Sequence, residues 1–244
     1  MDYYYKFLFN VIPIDLIELF AALSGVYYLN KKKKNDKIIK YFVVFLWYTF
    51  INEIIGMYSP IAYFSNYKYF GIVKDTVFER NIWLYNIYFI INFSFLIYFF
   101  KSLLSNTKFR KTMNIVIIIF VLIATMYLYF SKEFFISYSI LTLTTGSILV
   151  LINILMFYSR LLKADKVINL KKYLPIYLSI GVMFFYLCVT PIELFAKYFK
   201  MINEVYVNIR TNILLVANIF MYSTFITGFI VCAKSNTNKD ELLN

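Results

Sequence analysis

TMNIVIIIFVLIATMYLYF (112–130) runs for nineteen residues without a charged side chain. At 1.5 Å per residue, a helix of that length crosses a hydrocarbon layer of about 30 Å. The bilayer interior offers no water to backbone amides, so a lipid-facing run must satisfy them within itself, as a helix. Six other stretches read the same way, at about 11–29, 38–58, 82–100, 136–158, 174–196 and 212–232. The longest connection, 59–81, is too short to hold a folded domain of its own. The expected fold is all-α: a single membrane domain over 1–244, a polytopic seven-transmembrane-helix bundle.

Composition agrees. Of 244 residues, 61% are hydrophobic and 16% charged, and mean hydropathy is +0.69. A soluble domain carries about 25% charged residues, so apolar surface here exceeds what one aqueous core hides. The single weak span is the first, which contains two acids. If it lay on the membrane surface, six spans would remain and the N-terminus would be cytoplasmic.

Lysines set the orientation. NKKKKNDK (30–37), the loop around Lys101, Lys108, Arg110 and Lys111, and the loop from Arg160 to Lys172 all fall on one side with the C-terminal tail. That side carries seventeen Lys and Arg against eight on the other. Positive residues stay cytoplasmic, which places the N-terminus outside and the C-terminus inside. The net charge of +12 is therefore a topology signal and not a nucleic-acid patch. Lys31, Lys32, Lys33 and Lys34 are expected to contact anionic head groups or a cytoplasmic partner, each basic group being worth about 1 kcal/mol near such a surface. The start, MDYYYKFLFN, has no basic region typical of a cleaved signal peptide. Tyrosines and phenylalanines at segment ends form the aromatic belt at head-group depth.

Charge inside a span is expensive, about 2.5–3.5 kcal/mol at the bilayer centre. Asp15, Glu18, Glu53 and Glu193 nonetheless fall within spans. Counting from the outer end at 1.5 Å per residue, they lie about 6, 10, 8 and 5 Å deep, all in the outer half. Asp15, Glu18, Ala22 and Gly25 share one helical stripe; Thr49, Asn52, Glu53 and Gly56 form a second, and Tyr186, Thr190, Glu193 and Lys197 a third. Such stripes face a bundle interior, which points to an outward-facing polar pocket walled by Glu18, Glu53 and Glu193, with Tyr186 beside it. Asp15 has a second reading as the N-terminal cap of the first helix behind Pro13. Glu193 has one as the partner of Lys197. Pro191 either kinks the sixth helix or marks its end. Asn92, Thr145, Asn153 and Asn218 lie near the midplane, where helix–helix hydrogen bonding explains them at roughly 0.6 kcal/mol each.

Several activities are excluded. There is no histidine, which removes histidine-ligated zinc, a b-type haem and a histidine base. Cys188 and Cys232 lie in apolar stretches, as small hydrophobes do. A retinal Schiff base needs a lysine in the middle of the seventh span, and ANIFMYSTFITGFIVC (217–232) has none. No paired nucleophile and base stands out, so no enzyme activity, cofactor or metal is expected.

IELFAALSGVYY (17–28), NEIIG (52–56), TGSILVLINI (145–154) and PIYLSIGVMFFYLCVTP (175–191) resemble a group of small bacterial seven-span integral membrane proteins without assigned activity. The resemblance implies the architecture and a multi-pass place in the bacterial inner membrane, and no reaction. Two functions follow from the residues, with a membrane enzyme ranked third for want of a nucleophile and base. One is a non-catalytic, receptor-like sensor or partner-binding module that takes a small-molecule ligand and docks a signalling protein. The other is a small secondary transporter of three, one and three helices, proton-coupled through Glu18 and Glu53.

Overall fold

The computed structural model describes residues 2–32, 36–104, 106–163, 170–195 and 204–240, without the side chains of 2–6, 170, 204 and 235–240. Among these residues there are helices and no strands. They are α1 (Asp2–Lys31), α2 (Lys37–Gly56), α3 (Tyr58–Phe64), α4 (Ile82–Ser102), α5 (Thr107–Ser131), α6 (Ile140–Leu162), α7 (Leu174–Phe195) and α8 (Glu204–Asp240). Seven segments of the described residues are long and apolar enough to cross a membrane, α2 and α3 together making one of them, Lys37–Phe64. The protein is an all-α bundle with seven membrane-length helices.

The boundaries move for local reasons. α1 begins at Asp2 and carries Pro13 inside it, so Asp15 lies in the helix body and does not cap it. Proline is tolerated there because neighbouring groups in a membrane helix re-satisfy the freed carbonyl. α6 starts at Ile140 and not at 136, because Ser139 caps it, its hydroxyl accepting from the Thr142 amide at 3.2 Å. Likewise Asn106 caps α5 through the Phe109 amide, five residues ahead of the expected start. Pro191 is within α7, which continues to Phe195, so this proline does not end the helix.

The chain divides into two compact units, residues 1–50 with 164–244, and residues 51–163. In the first, α8 is the central helix, with α1 and α7 against it. Glu18 meets Tyr222, and seven residues later on both helices Gly25 meets Phe229. Equal offsets mean that α1 and α8 run parallel. α7 is antiparallel to α8: the Phe184 and Phe220 rings meet at a tilt with centroids 4.1 Å apart, while Gly181 faces Thr224. Phe42 of α2 joins through an edge contact with Phe225 at 5.4 Å.

In the second unit α4 is central, flanked by α5 and α6. Asn86, wholly buried, donates to the carbonyls of Phe134 and Ser137 and accepts from the Ser139 amide. It thereby fastens the start of α4 to the α5–α6 turn. Seven residues on, Phe93 lies against Gly146, and Phe100 meets Phe157 further along, so α4 and α6 run parallel. A Cβ on Gly146 would sit 2.3 Å from the Phe93 ring; the ring occupies the space that any side chain would need. The outward faces are apolar, as on α5, where Ile115, Ile118, Leu122 and Met126 are all exposed. In water such a surface would aggregate, and in lipid it is the ordinary one.

The connection from 57 to 81 is folded onto itself. Four of its non-glycine residues, Asn66, Tyr67, Phe70 and Asp75, adopt left-handed backbone angles, which turn the chain sharply. Trp83 donates to the Tyr58 hydroxyl, which donates to the Phe78 carbonyl at 2.7 Å. Ser59 bonds the Glu79 carbonyl, Asn81 bonds the Gly56 carbonyl, and the Tyr67 hydroxyl donates to the Glu79 carboxylate.

Two outcomes follow. Gly146→Ala forces the Phe93 ring off its rotamer and is expected to cost about 1–3 kcal/mol, read as a lowered unfolding midpoint in detergent. Gly71→Ala, with nothing within 4 Å of the new methyl, leaves the midpoint unchanged. The hydrogen bond to Glu79 holds the Tyr67 hydroxyl above its ordinary 10.0. A raised folded value means that the bond's contribution is fully present below pH 10 and is lost as pH rises through the raised value. Proteolysis of the 57–81 connection should accelerate above that pH, and Tyr67→Phe should remove this alkaline step.

Candidate functional site

An acid inside an apolar helix has to find a partner on a neighbour, and each buried glutamate does. Glu18, 1% exposed, accepts a 2.5 Å hydrogen bond from the Tyr222 hydroxyl. This joins α1 to α8 across 204 residues of sequence. Ala21 and Ala22, fully buried, let the two helices come close enough for it. Glu193 on α7 forms an ion pair with Arg210 of α8 at 2.6 Å. Beside the pair, the Tyr206 hydroxyl donates to the Ile192 carbonyl at 2.7 Å. In the other unit, Glu53 accepts from the Tyr85 hydroxyl of α4 at 2.6 Å, and Tyr85 also fills the space in front of Gly56.

The Glu18 and Glu193 ties do not sit at one level. Tyr222 and Arg210 are twelve residues apart on α8, about 18 Å along its axis, so Glu18 and Glu193 are anchored at separate depths. Glu53 belongs to the unit of residues 51–163 and has its own partner there. The carboxylates act as individual helix-to-helix fasteners. Lys197, the partner expected for Glu193 from its own helix, lies outside the described residues. Arg210 takes the carboxylate, because α8 begins eight residues before the expected start at 212 and brings Arg210 into the helix.

The remaining expected residues occupy varied settings. Asp15 is half-buried on α1. Tyr186, Thr190 and Glu193 are all buried along one face of α7. Asn92 is buried in α4, while Asn218 donates to the Leu214 carbonyl of its own helix at 2.8 Å. Asn153, wholly buried in α6, donates to the Leu149 carbonyl and to the Met113 sulfur. Lys31 and Lys32 lie over the rings of Tyr27 and Tyr28, at 6.0 and 4.9 Å from the centroids. Lys33 and Lys34 lie outside the described residues. Cys188 and Cys232 are free thiols, and among the described residues no group of His, Cys, Asp and Glu is placed to hold a metal.

Asn86, Tyr85, Arg210 and Tyr222 are the polar residues that sequence reading passed over. Each lies near a span end or is a tyrosine among many, where head-group contact is the ordinary explanation. Comparison of the chain with models of protein families, with curated proteins and with solved structures finds no match in any of the three.

Tyr222→Phe removes the donor to Glu18 and keeps the ring. A hydrogen bond to an acid in a buried site is worth about 1.5–3 kcal/mol. Unfolding in mild detergent should show a loss of that order for Tyr222→Phe. Glu18→Gln combined with Tyr222→Phe should cost less than the two single changes added together. Additive losses would mean that the two side chains are not coupled.

Proposed function

We propose that this integral membrane protein is a non-catalytic, receptor-like module whose carboxylate ties are its switch points. The observation that carries the reading is the Glu18–Tyr222 bond, a buried polar contact between the first and last spans. A ligand or proton that takes the Glu18 carboxylate loosens this tie while the Gly25–Phe229 and Tyr28–Phe229 contacts hold, and a helix shift of 1–2 Å at such an interface is a known way to pass a signal. The basic segments at 30–37 and 159–173 are the receiving surface for a cytoplasmic signalling partner. The lysine distribution supports an N-terminus outside, and the resemblance to small bacterial proteins supports the bacterial inner membrane as its location. The same resemblance supports the architecture and no reaction.

A carrier is the second reading. It draws on Glu53, half-buried and bonded to a phenol inside a span, a pairing suited to proton coupling. Less support comes from the helix grouping, because α4, α5 and α6 cluster together and a three-one-three repeat would divide them.

Liposomes holding the purified protein and an internal pH-sensitive dye separate the two. The receptor reading expects no proton flux driven by sugars or amino acids, and a changed α1–α8 interspin distance at the 30–37 end on Glu18→Gln. Substrate-driven flux that Glu53→Gln abolishes would overturn it in favour of the carrier.

A further inference from the structure

Residues 51–163 have a strongly uneven charge distribution. At one end Lys101 closes α4, Lys108, Arg110 and Lys111 open α5, and Arg160 and Lys163 close α6. None of the four acids of this unit is there. Glu53, Asp75, Glu79 and Glu133 all belong to the opposite end, where Lys68, Lys74, Arg80 and Lys132 match them in number. The parallel course of α4 and α6 makes the basic end one surface: Arg160 Nη1 donates to the Leu103 carbonyl, joining the two C-terminal turns.

Exposed lysines at a span end are a topology signal and need no ligand. Lys101 is different, being only 5% exposed. Its Nζ lies 4.9 Å from the Tyr98 ring centroid, and Arg110 acts on it through space as a like charge. Its stem is packed in, among the described residues it makes no ion pair, and an aromatic face supplies only part of the counter-charge that its ammonium can take at a membrane surface. The N-terminus of α5 adds the same demand. Its first turn holds no acid, and with Asn106 bonded to the Phe109 amide the amides of Thr107 and Lys108 stay available at the positive end of the helix dipole. Three elements therefore present positive charge to one place: a buried lysine, arginines from two helices and a helix N-terminus.

We infer that this end of the α4–α5–α6 unit is a binding site for the phosphate of an anionic membrane phospholipid, with Lys101 as its buried contact. Arg110 and Arg160 are the flanking forks. Arg160 keeps further N–H groups for a phosphate after bonding Leu103. The lipid, and not a soluble phosphate, is the occupant because Lys101 is in the last turn of a membrane-length helix, at the depth of lipid head groups. Exposed Tyr98, against whose ring Lys101 lies, and exposed Ile115 on α5 are surfaces for acyl chains. Basic niches between membrane helices on the cytoplasmic side are suited to anionic head groups.

The test uses the full chain in a non-ionic detergent, titrated with phosphatidylglycerol or with phosphatidylcholine of the same acyl chains, with binding read by native mass spectrometry and stability by thermal unfolding. Phosphatidylglycerol should bind at least tenfold tighter than phosphatidylcholine and raise the midpoint. Lys101→Met should reduce that preference to within about twofold. Lys74→Met, at the opposite end, should leave lipid binding unchanged. Arg110→Gln, on an exposed residue, should weaken phosphatidylglycerol threefold or more and decides the matter if Lys101→Met fails to fold. Equal binding of the two lipids, or undiminished preference in both variants, overturns the site. Stabilisation by millimolar inorganic phosphate equal to that by phosphatidylglycerol overturns the lipid as its occupant.

Discussion

Lipid gives a polar group no alternative partner, and this constraint explains the placement of many polar side chains in the bundle. Hydroxyls inside helices turn back on their own backbone: Thr49 bonds the Phe45 carbonyl, Thr125 that of Val121, Thr145 that of Leu141 and Ser159 that of Leu155. Asparagines do the same or reach a second segment, as Asn86 does at the α5–α6 turn. Glutamates cannot be satisfied by their own helix, because its carbonyls are acceptors like themselves. They need a donor on a neighbour, and Tyr222, Arg210 and Tyr85 supply it. An acid in a span therefore specifies which helices touch, and at which register.

Apolar packing works under the same constraint. Helices in lipid gain little from hiding one greasy face against another, since lipid tails are equally apolar. Association depends on close fit. Gly146 receives the Phe93 ring, and Gly181 lies so near α8 that a Cβ would meet Thr224 Oγ1 at 2.3 Å. Around these contacts, aromatic edges fill the remaining space, as Phe93 does against Phe120 at 6.2 Å. α8 and α4 are the helices through which the two units are organised.

Charge follows a separate logic. In the 51–163 unit the acids and their balancing bases gather at one end, and uncompensated bases gather at the other. The first arrangement suits a folded connection held by pairs such as Tyr67 with Glu79. The second leaves a positive end with no acid of its own unit beside it. Carboxylate ties and the basic end are different devices: one fastens helix to helix, the other faces the membrane surface.

By itself the sequence determined the number and rough position of the spans, because spanning depends on a local property, some twenty apolar residues in a row. It also marked Glu18, Glu53 and Glu193 as unusual, because the penalty for a charge in lipid needs no knowledge of neighbours. Helix ends were less legible. Asn106 and Ser139 as caps, Pro13 inside α1 and the early start of α8 depend on one or two hydrogen bonds that hydropathy does not register. Partners were illegible. Helical spacing sees only residues on the same helix, so it offered Lys197 to Glu193, whereas tertiary packing supplied Arg210. The Glu18–Tyr222 bond, the parallel course of α1 with α8, and the burial of Lys101 depend on which helices are adjacent. That adjacency is decided by the fit of small residues against rings, a property of pairs of surfaces and not of any one stretch of chain.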